Sequence, residues 1–269
     1  MGGKVIVTGA SGSMGAVATQ ALAEKGHEVI MACRNIEKAG SVRNRIISAI
    51  PEANIEVRHL DLASLSSVRA FAKGMEGERV SMLLNNAGVI SRGYGMTRDG
   101  LENTFAVNYF GPVLLTLSLL PAMVPEAHIV NMVSLTCKFV KISARSLFPE
   151  RNEFSQLGTY ARSKLAMLHF SAELSRRNPS LRINLADPGI VNSNMISMGK
   201  WFDPLADALF RPFCKSPEKG VRPALSALSA ENSMRYYVGQ KIKDLPSRFI
   251  DPEFDRLLWD ETLGILGNH

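Results

Sequence analysis

Short, almost continuously apolar runs alternate along this chain with longer segments in which apolar residues recur every three or four positions. The short runs fall at 3–8, 28–33, 55–60, 80–84, 128–133 and 181–186. They are too brief for helices and apolar at nearly every position, so they predict strands buried on both faces. Helical periodicity fills the gaps at 14–25, 37–49, 65–75, 101–123 and 160–177. This alternation predicts an α/β fold, doubly wound, with a mostly parallel central sheet of about seven strands flanked by helices and joined by right-handed crossovers. After Pro188 the rhythm changes. Residues 192–216 carry Met195, Met198, Trp201, Phe202, Phe210 and Phe213, and are expected to form a small helical lid over a substrate. A helix at 217–230, a short strand near 235–238 and a closing helix at 251–266 are expected beyond it.

Composition narrows this picture. The length of 269 residues, with 46% apolar and 21% charged residues, suits one large globular domain over 1–269. The most apolar stretch, Phe105 to Val124, is interrupted by Asn108, Thr116, Ser118 and two prolines, and reads as a buried helix. The chain enters a strand at Lys4, so neither a signal peptide nor a membrane anchor is expected. The net charge of +6 is spread without a dense basic run, which points away from a nucleic-acid partner. Cys33, Cys137 and Cys214 are far apart, and the five histidines lack ligand spacing. A reduced, cytoplasmic chain without a metal site is the expectation.

Three patterns carry chemistry. Thr8-Gly9-Ala10-Ser11-Gly12-Ser13-Met14-Gly15 follows the first strand and opens the first helix. Small residues there let the backbone approach a pyrophosphate, and the helix N-terminus supplies N–H groups and a favourable dipole. The fold is therefore expected to be of the Rossmann type, with the dinucleotide on about 1–135 and the catalytic and substrate part on about 136–269. The second strand ends in Ala32-Cys33-Arg34, with no acidic residue to contact a ribose 2′-hydroxyl. Arginine can hold a 2′-phosphate instead, so Arg34 predicts NADP(H). Tyr160 and Lys164 lie one helical turn apart, where a lysine ammonium would lower the phenol pKa and make a usable acid/base. On its own such a pair is also common on solvated helices.

With these pieces in view the chain resembles the short-chain dehydrogenase/reductase family over nearly its whole length. The loop at 8–15 matches the family's first motif, with Ser13 where glycine is usual. Asp61-Leu62 looks like the adenine-contacting pair, and Asn85-Asn86-Ala87-Gly88 matches the motif after strand four. Asn108, Ser134, Tyr160 and Lys164 occupy the family's catalytic positions. Pro188-Gly189-Ile190-Val191-Asn192-Ser193 resembles the segment bordering the nicotinamide. The resemblance implies cofactor contacts at Gly9, Ser11, Gly12, Ser13, Met14, Gly15, Arg34, Asp61, Leu62, Asn86, Ala87, Gly88, Tyr160, Lys164, Pro188, Gly189, Val191 and Ser193. Ala32-Cys33-Arg34-Asn35, Leu60-Asp61-Leu62-Ala63-Ser64-Leu65 and Ser216-Pro217-Glu218-Lys219-Gly220 are most similar to the retinol dehydrogenase and protochlorophyllide reductase branch. The long, polar insert 138–158 suits that branch and is expected to form a loop at the site mouth.

The resemblance implies hydride transfer between NADP(H) and an apolar carbonyl or alcohol. Tyr160 would exchange the proton and Ser134 would polarise the substrate oxygen. Lys164 would tune Tyr160 and hold the nicotinamide ribose, and Asn108 would hold a relay water. It also implies a homodimer or homotetramer through the helices at 101–123 and 160–177. Two other readings stand beside it: a non-catalytic NADP(H)-binding sensor or scaffold, and a ring reductase like protochlorophyllide reductase.

Overall fold

A computed structural model describes residues 3–191 and 215–267. Most of the expected lid, and Ser193, lie outside the described residues. Eight strands form one sheet: β1 (Lys4–Thr8), β2 (Val29–Cys33), β3 (Ile55–His59), β4 (Val80–Asn85), β5 (Met123–Met132), β6 (Arg182–Asp187), β7 (Tyr236–Val238) and β8 (Lys241–Lys243). Their order is β3-β2-β1-β4-β5-β6-β7-β8. Every neighbouring pair is parallel except β7 with β8. The sheet thus has one strand more than expected. Lys241–Lys243 is three residues long and exposed throughout, so it carries no apolar run by which to recognise it.

The interior strands are buried as their composition requires. Val29–Cys33 is buried at all five positions. One face of the sheet is covered by α1 (Ser13–Glu24), α2 (Ile36–Ala49) and α7 (Pro217–Ala227), through Leu22, Ile46 and Ala224 among others. The other is covered by α3 (Leu65–Lys73), α4 (Asn103–Phe105), α5 (Gly111–Leu119), α6 (Gln156–Arg177) and α8 (Pro252–Gly267). Phe71, Phe105, Tyr109, Phe170 and Trp259 fill that layer.

The helix expected at 101–123 is not uniform. Between α4 and α5 lies a π-helical turn, Ala106–Phe110, closed by the Gly111 N–H on the Ala106 carbonyl. Gly111 lies against the loop after β3, where a Cβ would come within 2.3 Å of the Leu62 carbonyl. The run Asn103–Ala122 is long and apolar enough to cross a membrane, yet 67% of its apolar window is buried inside the protein. The insert after Ser134 contains two 3₁₀ turns, Leu135–Phe139 and Ala144–Leu147. Its end folds back on the loop after β4, where Phe154 meets the Tyr94 ring edge-on at 6.0 Å and Arg151 lies over that ring at 5.4 Å.

Helix α6 is held by α8. His169 Nδ1 lies 2.6 Å from Asp255 Oδ1, and Arg176 bonds the other Asp255 oxygen. Trp259 stacks on Phe170 with centroids 5.2 Å apart. Every residue from Ser163 to Leu174 is buried within this one chain. Truncating Trp259 would remove a buried aromatic from the α6–α8 contact. Trp259→Ala should cost about 3 kcal/mol of unfolding free energy, read by circular dichroism in a denaturant series; a loss below ~1 kcal/mol would show that α8 contributes little to the core.

Candidate active site

The strand order reverses between β1 and β4, and a parallel sheet opens a crevice at such a point. A cleft of about 650 Å³ occupies it. Its lining takes in Gly9, Ser11, Gly12, Ser13, Met14, Gly15, Arg34, Asp61, Leu62, Asn86, Ala87 and Gly88, which are all predicted cofactor residues. Asn35, Lys38, Val89 and Val107 also line it and were not predicted. Lys38 had a readable signal: it sits one helical turn beyond Arg34, in a helix capped by the Asn35 side chain on the Lys38 N–H.

Glycine shapes the floor of the cleft. Gly9 has φ +64°, in the left-handed region. A Cβ on Gly15 would stand 2.4 Å from the Gly9 carbonyl and 2.7 Å from Ala10 Cα. Gly12 caps α1 without a side-chain hydrogen bond, which leaves the first-turn N–H groups for a ligand. The motif after β4 pins this loop. Asn86 Nδ2 donates to the Thr8 carbonyl at 2.8 Å and the Ala87 N–H donates to Thr8 Oγ1 at 3.0 Å. Asn86 Oδ1 is buried without a hydrogen-bond partner among the described residues. These features fit a dinucleotide, with Arg34 and Lys38 as cations at its β2 end.

The predicted catalytic residues come from three elements. Ser134 lies two residues beyond β5 and caps the first 3₁₀ turn, its Oγ accepting from the Thr136 N–H and hydroxyl. Tyr160 and Lys164 come from α6, which begins at Gln156, earlier than expected. Lys164 is 4% exposed, and its Nζ donates to the Met132 carbonyl at 2.9 Å. Asn108 lies in the π turn. Its Oδ1 accepts from the Val89 N–H at 2.8 Å, and its Nδ2 donates to the Val89 carbonyl at 2.9 Å and Ser163 Oγ at 3.1 Å. The Asn108 amide thus ties the segment after β4 to α6.

The charge states differ from expectation. Lys164 was to lower the Tyr160 pKa. Instead burial pushes Tyr160 up to about 12, eased by a hydrogen bond with Ser134 and reinforced by the charges of Cys137 and Asp187. Lys164 has moved the other way, down to about 8, because burial disfavours its ammonium. Its Nζ stands 6.0 Å from the Tyr160 ring centre and is committed to Met132. Tyr160 is therefore a neutral phenol in the free protein, while Lys164 stays mainly an ammonium at neutral pH and loses its proton as pH rises through about 8. Cys137 is buried, and burial raises its thiol to about 12, which leaves it unreactive. No cluster of metal-type side chains occurs among the described residues.

Pro188 and Gly189 follow β6 with Gly189 at φ +71°, and Val191 pairs with Lys215. Asp187, just before them, was not predicted. A single aspartate before a proline carries no sequence signal of its own.

Residues 3–200 match the short chain dehydrogenase family. The chain belongs to that family. It is 34% identical to retinol dehydrogenase 13 of Homo sapiens over 99% of this chain and 85% of the relative. It is 35% identical to human retinol dehydrogenase 14 over 99% of this chain and 87% of that protein. Among solved structures, an uncharacterized protein from Mycobacterium Paratuberculosis superposes with a TM-score of 0.80 at 29% identity, covering 98% of this chain and 93% of that one. The dehydrogenase is of the retinol dehydrogenase-like branch, an oxidoreductase acting on small substrates with a nicotinamide cofactor.

A lysine held low by burial links stability to pH. The folded Lys164 value of about 8 lies below its ordinary 10.5, so between those values the unfolded chain binds more protons and stability rises with pH. Relative to Lys164→Met, the cofactor-free wild type should gain up to about 3 kcal/mol across that window. Chemical denaturation at a series of pH values would show it, and parallel curves for the two proteins would contradict it.

Proposed function

We propose that this dehydrogenase is an NADP(H)-dependent reductase of an apolar, retinal-like carbonyl compound, with Tyr160 as the proton donor. The observation that carries the reading is that Tyr160, hydrogen-bonded to Ser134, and buried Lys164 share α6 with Ser163, which Asn108 ties to the cleft-lining Val89. The family of its relatives supplies the substrate class.

The bound nicotinamide would supply the hydride that reaches the carbonyl carbon. The backbone of Gly12–Gly15 would bind the pyrophosphate, and Arg34 with Lys38 would hold a 2′-phosphate through charge-assisted hydrogen bonds. Lys164 would hold the nicotinamide ribose. Ser134 would donate a hydrogen bond to the substrate oxygen and draw charge onto it. Tyr160 would then pass its phenolic proton to that oxygen. Burial raises the Tyr160 pKa in the cofactor-free chain and so makes it a weaker acid, and its role as donor requires a positive charge brought in with the cofactor to lower it again. An acceptor or an anion joining Lys164 would offset part of its desolvation and raise its pKa, which couples its proton to cofactor binding. Asn108 would keep α6 in register with the cofactor-side loop and hold a relay water.

Tyr160→Phe should retain the fold and NADPH binding while turnover of all-trans-retinal falls by roughly a hundredfold or more. Near-normal turnover would rule out the proton-donor role. Arg34→Asp should raise the NADPH dissociation constant about tenfold or more and leave NADH within about threefold. Isothermal titration with both nucleotides reads this, and wild-type protein that binds NADH as tightly as NADPH would refute the cofactor assignment.

A further inference from the structure

One peptide unit beside the catalytic residues is gripped at both of its polar ends. The carbonyl of Pro188 accepts from Lys215 Nζ at 3.2 Å. The N–H of the same peptide, on Gly189, donates to Asp187 Oδ1 at 2.8 Å. The second Asp187 oxygen accepts from the Tyr236 hydroxyl at 2.7 Å, which ties the carboxylate to β7. Asp187 is 1% exposed, so this is a buried carboxylate whose two oxygens both have donors.

The arrangement does more than satisfy buried groups. A cation at the carbonyl and an anion at the N–H align with the dipole of the peptide between them. Rotating that peptide would turn its carbonyl toward Asp187 and its N–H toward Lys215, and both contacts would become repulsive. Gly189 makes the grip possible. It sits at φ +71°, and a Cβ there would come within 2.8 Å of Lys215 Nζ. The lysine is in turn fixed by its backbone, whose N–H donates to the Ile190 carbonyl at 2.8 Å. Two segments separated in sequence thus converge on one peptide.

We propose that Asp187 and Lys215 form a peptide clamp that sets the Pro188–Gly189 turn against the nicotinamide end of the cofactor, making both of them positioning residues for the dehydrogenase reaction. The proposal rests on the reading that this turn borders the nicotinamide. The carboxylate has a second reach. The titratable groups it acts on are Tyr160 from α6, Cys137 from the turn after β5 and Tyr236 from β7, and its charge favours the neutral form of each. Among the described residues, the lysines on these elements are Lys215 at the far end of the clamp and Lys164, which is bonded to Met132.

The test uses full-length Asp187→Asn, Asp187→Ala, Lys215→Met and the Asp187→Ala/Lys215→Met double variant. NADPH binding is read by nucleotide fluorescence, Gly189 amide exchange by NMR, and folding by thermal melts. Asp187→Asn keeps an acceptor for the Gly189 N–H and should bind NADPH within about threefold of wild type. Asp187→Ala and Lys215→Met should each raise the dissociation constant about five- to tenfold and speed Gly189 exchange. Because both act through one peptide, the double variant should be little worse than the worse single. Losses that multiply in the double variant, or Gly189 exchange unchanged in Lys215→Met at wild-type melting temperature, would overturn the clamp. If Asp187→Ala fails to fold, Lys215→Met and Asp187→Asn still decide it. Wild-type protein with a protected Gly189 amide but no affinity for NADPH would refute the cofactor reading, and with it the positioning role, while leaving the clamp itself in place.

Discussion

The site depends on how closely two parallel strands and one helix can approach at the point where the sheet reverses its winding. Thr8 at the end of β1 takes a side-chain donor from Asn86 on its carbonyl and a backbone donor from Ala87 on its hydroxyl. Gly9 and Gly15 fill the space between, and a Cβ on either would meet neighbouring atoms at 3.0 Å or less. Removing side chains from this junction lets the N-terminus of α1 face a cleft instead of packing against β4. The phosphate cradle is thus a consequence of β1–β4 packing. The cleft, its basic rim and its distance from the catalytic helix follow from it.

A buried polar chain carries the junction toward the catalytic side. Asn85 donates to Asn131 Oδ1 and to Thr116, and Asn131 donates to Ser171 on α6. Asn108 adds a second link, from Val89 to Ser163. Buried amides matched in this way fix the rotation of α6 about its axis, because a turn of the helix would leave several of them unpaired. That rotation brings Tyr160 to Ser134 and Lys164 to the end of β5. The far side of α6 is closed by Phe170, Trp259 and the His169–Asp255–Arg176 group. Cofactor cradle and catalytic helix are therefore parts of one hydrogen-bonded frame.

Electrostatics in that frame is governed by burial. Lysine and tyrosine at neighbouring positions suggest mutual tuning, yet in the folded chain both are desolvated, and desolvation outweighs their attraction across 6.0 Å. The outcome is a phenol that is harder to ionise, and an ammonium that is easier to deprotonate, than either would be in water. The buried Asp187 adds to the rise at Tyr160, and it also holds the Gly189 N–H.

Much of this was legible in the residues themselves. Apolar runs located the interior strands, since a strand buried on both faces must be apolar at nearly every position, whereas β3 at the sheet edge alternates apolar and polar residues. The Gly-rich turn, the Asn-Asn-Ala-Gly segment and the Tyr-x-x-x-Lys spacing are local patterns, and local geometry is what makes them readable. Features that depend on distant partners were not. The exposed strand β8 is recognisable only by its pairing with β7, and the π turn at Ala106–Phe110 only by its contact with Leu62. The sequence by itself determined the order of elements, the Gly-rich loop and the Tyr160–Lys164 spacing, because each is written in residues close together along the chain. Tertiary structure alone decided the charge states of Tyr160 and Lys164 and the meeting of Asp187 and Lys215 on one peptide, because desolvation and long-range contact exist only once the chain has closed around them.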